Sequence, residues 1–226
     1  TGSLHNRVSY ANDTANLVIN LSDKTASGAN AGKGLNGNAA GDTYINIQDA
    51  TGGSGNDTFV ASSAENRFDG GAGSDTVSYA SSDAPVIVNL SAVTLGGVAS
   101  MRGSGGYANN DEYTSIENVI GSSGNDIFYA SADTAAAANR FDGGGGTQNR
   151  VSYEAATADL LINLFNGAAT LNGVSVAASS GAGGAAGDTY ANIQDVAGGS
   201  GNDTFNASAV TNRFDGGNGV NTVSYQ

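Results

Sequence analysis

GGSGNDTFV (52–60), ASSAENRFD (61–69) and GGAGSDTVS (70–78) follow one another without a gap, and each carries an apolar residue at its eighth place: Phe59, Phe68 and Val77. A nonapeptide rhythm of glycine-rich turn and short strand is the sequence form of a parallel β-solenoid that binds Ca2+ in its turns. Two units make one coil, so residues eighteen apart stack on the same side. Asp57 and Asp75 are eighteen apart, and each closes a Gly-Gly-x-Gly-x-Asp turn. Stacking would bring carboxylates and turn carbonyls together between the two turns, and hard oxygen ligands in that number suit calcium. The alternative for the pair is two aspartates that only cap their own turns.

These units resemble the RTX, or haemolysin-type, calcium-binding repeats of proteins exported by bacterial type I secretion. The resemblance rests on GGSGNDTFV, GGAGSDTVS and GGSGNDTFN (198–206), with GSSGNDIFY (121–129) a poorer copy. The stretches between them, VSYA followed by a VIVNLS-type strand and then GDTYxNIQD, are similar to the spacers of large RTX adhesins. The resemblance implies a parallel β-roll, an extracellular location and calcium-dependent folding. It also implies that the carbonyls of Gly52, Gly53, Gly55, Gly70, Gly71 and Gly73 complete the ligand set of Asp57 and Asp75. It implies no reaction, because such repeats occur in toxins, proteases, lipases, epimerases and adhesins alike.

Further candidate sites follow from the same register. Asp203 occupies the place of Asp57, but the residue eighteen further on is Asn221, which removes one charge and leaves an amide oxygen as a weaker calcium ligand. Asp126 faces GGGGTQNRV (143–151), which has an extra residue and no acid at the expected place. Such aspartate-free turns suggest a second form in which an arginine, Arg7 or Arg150, replaces the cation. The RFDGG segments at 67, 140 and 213 read as a surface ion pair plus an aspartate turn, with a second row of calcium sites as the alternative. Asp42, Asp111 and Asp188 precede strands, where an Asx-turn needs no metal. Asn20, Asn89 and Asn163 sit inside apolar strands, where a buried amide would bond turn backbone. The VSY tyrosines, Tyr10, Tyr79, Tyr153 and Tyr225, read as core or half-buried residues, the alternative being an exposed aromatic stripe for a cell-surface glycan.

Composition narrows the class. Glycine is 35 of 226 residues, yet the hydrophobic fraction of 39% is too high for a disordered linker. The net charge is −13, and 17 of the 21 acidic residues are aspartate, the shorter side chain that turns and cation sites prefer. Nucleic acid is therefore an unfavourable partner. Bound cations would both neutralise this charge and stabilise the fold. There is no cysteine, so cations or repeat stacking must do what disulfides do in other extracellular proteins. No run of eighteen apolar residues and no signal peptide at Thr1 is present, so no membrane insertion is expected.

A longer period overlies the nonapeptides. RFDGG recurs at spacings of 73, and VSY at 8, 77, 151 and 223 recurs at 69, 74 and 72. Seventy-two equals four coils of eighteen, which predicts long repeats at about 8–76, 77–150 and 151–222, each an integral number of coils in one continuous solenoid 1–226. Each repeat orders a VSY strand, an INL-type strand, a glycine- and alanine-rich excursion, a YxNI strand and the calcium turns. DTAAAANRF (133–141) is too short for a trustworthy helix and reads as a bulged loop. Twelve coils at most would stack into a rod of roughly 50–60 Å. NRVSY (6–10) and NTVSY (221–225) stand in the same phase, which predicts either a window cut from a longer array or copies stacked head to tail.

Catalysis has little support in the residues. His5 is the single histidine, there is no thiol nucleophile, and no repeating base accompanies the serines. The expectation is a non-enzymatic, calcium-stabilised structural module of a secreted bacterial adhesin, surface-layer or filament protein, assembling end to end. Alternatives are a glycan- or ice-binding solenoid, the ice version lacking regular Thr-x-Thr ranks, or the accessory RTX region of a secreted enzyme.

Overall fold

The computed structural model describes residues 5–22, 31–131 and 138–225. Every nonapeptide unit ends in a three-residue strand whose central side chain points inward. In Thr58–Val60, Arg67–Asp69 and Thr76–Ser78 these are Phe59, Phe68 and Val77, all buried. Glycine, asparagine and aspartate bend the chain between strands, while the Thr, Val, Ile and Phe of the strands fit a half-buried pleated surface. Outside the excursions, successive strands alternate between two facing sheets of ten and eleven strands, and the inward residues of both form one continuous core. Aromatic pairs cross that core once per long repeat: Phe59 with Phe68 at 5.4 Å, Phe128 with Phe141 at 5.9 Å, and Phe205 with Phe214 at 5.3 Å between ring centres.

The pairing confirms the eighteen-residue stacking. Thr58 lies opposite Thr76 and Phe59 opposite Val77 in parallel register, as Thr204 does Thr222 and Phe205 does Val223. The fold is an all-β, predominantly parallel β-roll. At about 4.8 Å per strand its two sheets run roughly 45–50 Å.

One expectation is corrected. A long repeat is not an integral number of coils. From one VSY strand to the next the chain lays down five coil strands, Arg7–Ser9, Val18–Asn20, Asp49–Thr51, Thr58–Val60 and Arg67–Asp69. Five is odd, so equivalent strands change sheet at each repeat: Arg7–Ser9 and Arg150–Ser152 lie in one sheet, Thr76–Ser78 and Thr222–Ser224 in the other. The period of about 72 therefore hides two and a half coils plus an excursion. Within this parallel roll each excursion sends back one antiparallel strand. Gly34–Leu35 returns against Val18–Asn20, Arg102–Ser104 against Ile87–Asn89, and Ser180–Gly183 against Leu160–Asn163.

Buried amides hold these excursions. Asn89 Nδ2 faces the carbonyls of Val93, Val98 and Ala99 at 2.9–3.0 Å, while its Oδ1 accepts the Ser91 N–H. Asn163 does the same for Gly167 and Ala177. The segment 132–137, which includes most of DTAAAA, lies outside the described residues; the Arg140–Asp142 strand follows it. Among the described residues the helical content is two 3-10 turns, Gly37–Ala39 and Gly106–Ala108.

Candidate metal centre

Where the strands stack, their turns stack too, and each turn is stitched to the next by a side-chain oxygen. In the first repeat the Leu17 N–H donates to Asp57 Oδ1 at 2.8 Å, the Asp57 N–H to Asp75 Oδ1 at 2.7 Å, and the Asp75 N–H to Glu117 Oε2 at 2.8 Å. The second repeat copies this with Val86 to Asp126, Asp126 to Asn149 and Asn149 to Gln194. In the third, Leu160 donates to Asp203 and Asp203 to Asn221. Each bond satisfies a backbone N–H that the sharp turn leaves outside the sheet ladders.

The second carboxylate oxygen separates these aspartates. Asp57 Oδ2 accepts the Gly53 N–H, Asp126 Oδ2 the Ser122 N–H and Asp203 Oδ2 the Gly199 N–H, at 2.7–3.0 Å. In turn 70–75 the corresponding residue is Gly71, whose φ of +93° gives the turn another form, and nothing reaches Asp75 Oδ2. Asp75 is fully buried. Three buried side-chain atoms among the described residues lack a partner, Asp75 Oδ2, Ser152 Oγ and Asn206 Oδ1, and only the first belongs to an ionisable group. Burial pushes the Asp75 carboxyl up to about 7, against the Asp57 N–H that pulls it down and with the charges of Asp57, Glu117 and Asp69 that raise it further. Burial also raises Asp126 and Asp203, with their N–H donors opposing.

The space beside Asp75 suits a hard cation. A Cβ on Gly70 would lie 2.3 Å from Asp75 Oδ2 and 2.1 Å from the Ser115 carbonyl, so glycine alone leaves room between those two oxygens. With the carboxyl ionised neither oxygen can donate to the other, and an oxygen-seeking ion would satisfy both. Side chains on Gly71 and Gly73 would strike the carbonyls of Gly53 and Gly55, which fixes the close approach of turns 52–57 and 70–75. The Gly53 carbonyl itself accepts the Ala72 N–H at 3.0 Å. Among the described residues no three acidic or histidine side chains converge, so backbone carbonyls would have to make up most of any ligand set.

The family model described as the RTX calcium-binding nonapeptide repeat, in four copies, matches residues 51–81 and 194–224. These two segments are RTX calcium-binding nonapeptide repeats. RTX repeats are calcium-binding motifs, and the proteins that carry them are typically exported by type I secretion. The matched segments hold the first and third turn pairs, with Asp57, Asp75, Asp203 and Asn221; Asp126 lies between them. No curated protein matches the chain. Among the described residues no helix is long and apolar enough to cross a membrane.

Several residues stand elsewhere than the sequence suggests. Asn221 presents no oxygen to an ion in the manner expected: its Oδ1 accepts the Asp203 N–H and its Nδ2 donates to the Asn218 carbonyl at 2.9 Å. Arg7 and Arg150 do not enter the turns. Arg7 reaches Asp49 at 4.0 Å, and Arg150 reaches Asp215 and Glu154 at 3.6 and 3.8 Å, because both are the first residue of a strand and project along the sheet. The RFD segments keep the plain reading, with Arg67 on Glu112 at 3.1 Å, Arg140 on Asp142 at 3.1 Å, and Asp142 and Asp215 closing turns onto the N–H groups of Gly144 and Gly217. His5 bonds Asp49 at 2.6 Å.

Asp111 and Asp188 are more than Asx-turn residues. The returning excursion carries each against a VSY tyrosine, so that Tyr79 Oη meets Asp111 at 2.7 Å and Tyr113 Oη at 2.6 Å, and Tyr153 Oη meets Asp188 and Tyr190 Oη at 2.6 Å. Asp42 with Tyr10 and Tyr44 forms a more exposed copy. Tyr79 and Tyr153 are fully buried and add nothing to an aromatic stripe. Sequence reasoning passed over Glu117, Asn149 and Gln194. The available signal was the alignment of SIEN (115–118) with NIQD at 46–49 and 192–195.

Proposed function

We propose that this chain is a calcium-stabilised structural module of a secreted bacterial surface protein, an adhesin, surface-layer or filament protein, whose task is extension. The observation that carries this reading is the fully buried, partnerless Asp75 Oδ2 facing the Ser115 carbonyl across a space only glycine leaves open. Without a cation the buried carboxylate opposes the fold, and with one it joins two turns. Scarce calcium in the cytosol would leave the chain unfolded for export, and millimolar calcium outside would fold it. The module is read as non-catalytic, since its surface is built from short strands and ion-paired arginines and its one histidine is engaged with Asp49. End-to-end assembly is the finer part of the proposal: Arg213–Asp215 and Thr222–Ser224 each pair along one edge only, and such an edge accepts a further strand.

A calcium titration followed by circular dichroism and melting tests the module. The expected result is a strand spectrum and a sharply raised Tm in millimolar calcium, both lost in excess chelator. A melt identical in calcium and chelator would overturn it. Light scattering in calcium tests the assembly separately, and monomers at high concentration would remove that part.

A further inference from the structure

Turn 70–75 of the first repeat and turn 143–149 of the second occupy the same place in the roll. Each accepts the N–H of the preceding aspartate through a side-chain Oδ1, Asp57 to Asp75 at 2.7 Å and Asp126 to Asn149 at 2.9 Å. Each donates its own N–H to the next turn, Asp75 to Glu117 Oε2 at 2.8 Å and Asn149 to Gln194 Oε1 at 2.9 Å. The residue before each acceptor, Ile116 or Ile193, follows one in the left-handed region, Ser115 at φ 49° or Asn192 at φ 53°, which aims its carbonyl back at the glycine turn. The two differ in one remaining atom. In the second repeat that atom is Asn149 Nδ2, which donates to the Asn192 carbonyl at 2.9 Å and the Gly145 carbonyl at 2.7 Å. In the first it is Asp75 Oδ2, which lies beside the matching Ser115 carbonyl and has no hydrogen-bond partner.

The glycine cradles measure the equivalence. A Cβ on Gly143 would meet Asn149 Nδ2 at 2.3 Å and the Asn192 oxygen at 2.4 Å; one on Gly70 would meet Asp75 Oδ2 at 2.3 Å and the Ser115 oxygen at 2.1 Å. The charges change together. Asp75 with Glu117 brings two carboxylates to the first place, and Asn149 with Gln194 brings two neutral amides to the second. A carbonyl opposed to an amide N–H2 is complete. A carbonyl opposed to a buried carboxylate, with a second carboxylate bonded to the same turn, lacks two positive charges.

We propose that turn 70–75 and turn 115–117 together form a divalent-cation site, with Asp75 Oδ2 and the Ser115 carbonyl as ligands and Glu117 supplying the second charge, and that the Asn149 amide fills the equivalent place in the second repeat so that this turn needs no ion. The site lies between a nonapeptide turn and a spacer turn outside the matched segments, so the roll combines an ion-gated repeat with an ion-free one. This placement rests on the calcium reading above and refines it.

The test measures bound calcium per chain by isothermal titration, together with Tm in chelator, for the full 226-residue chain and two double variants. Asp75→Asn with Glu117→Gln should bind one ion fewer and melt higher in chelator than the parent, because the new amide can donate to the Ser115 carbonyl. Asn149→Asp with Gln194→Glu should bind one ion more and melt lower in chelator, with recovery in calcium. Unchanged stoichiometry in both variants, with calcium still bound by the parent, would overturn this placement and leave the calcium reading intact. A parent that binds no calcium at millimolar concentration would overturn both. Should the second variant fail to fold under either condition, the first decides alone, since it adds hydrogen bonds and removes charge.

Discussion

The Asp57 N–H donates to Asp75 Oδ1 at 2.7 Å across eighteen residues, while both oxygens of Asp57 itself are held by N–H groups, Leu17 on one and Gly53 on the other. Two aspartates in successive, nearly identical turns thus do different work. Asp57 closes backbone, and Asp75 keeps one oxygen in reserve.

That division predicts different phenotypes. Asp57→Ala would strand two buried N–H groups at about 1–3 kcal/mol each, and the loss should be the same in calcium and in chelator. Urea unfolding under both conditions measures it. A loss confined to calcium-containing buffer would show that Asp57 acts mainly as a ligand.

The turn pair and its register were legible in the sequence because an eighteen-residue spacing translates directly into stacking when no residue is inserted, as between Thr58 and Thr76. At Asp126 the spacing to its partner is twenty-three, and the insertion in GGGGTQNRV hid Asn149 behind the search for an acid. The excursions were unreadable for another reason. Their returning strands pair antiparallel with the INL strands, so segments such as 102–104 and 180–183, rich in Gly and Ser, become strands through their neighbours and not through propensity. The Tyr–Tyr–Asp clusters depend on the same return, since Tyr79 and Asp111 are thirty-two residues apart and meet only once the excursion closes.

Asn163 should act as the clasp of the third excursion. Its Nδ2 holds the carbonyls of Gly167 and Ala177, and its Oδ1 accepts the Phe165 N–H and the Asn206 amide at 3.0 Å. Asn163→Ala is expected to cost about 2–4 kcal/mol. Hydrogen exchange should accelerate first in 165–183, ahead of the coil strands. Uniform acceleration along the chain would show that the amide supports the core and not the hairpin.

Gly70→Ala should remove the cation site without touching a charge. The added Cβ would fall within 2.3 Å of both Asp75 Oδ2 and the Ser115 carbonyl, so turns 70–75 and 115–117 must part. Overpacking of this kind costs about 1–3 kcal/mol, and calcium should no longer restore the parent Tm. Gly173→Ala is the control: it has nothing within 4 Å and only a φ of +80° to strain, worth about 1–2 kcal/mol, and its calcium response should match the parent. Equal calcium responses in the two variants would place the ion elsewhere.

The Asp188 cluster gives a pH dependence whose sign follows from its burial. Burial raises the carboxyl to about 6, although Tyr153 Oη and the Asn139 N–H, which bond it at 2.6 and 2.8 Å, pull the other way. The folded chain therefore holds this proton more tightly than the unfolded chain, in which an aspartate titrates near 3.9. Its contribution is complete below about pH 4 and is lost as the pH climbs through about 6, a change on the order of 2 kcal/mol. Asp188→Asn keeps a neutral acceptor in place and should flatten that part of the profile. Urea midpoints in chelator from pH 4 to 7 provide the comparison, and subtracting the variant's curve removes the Asp75 titration, which has the same sign and extends to about pH 7. A parent curve parallel to the variant's would mean that Asp188 stays ionised in the fold, balanced by its two donors alone.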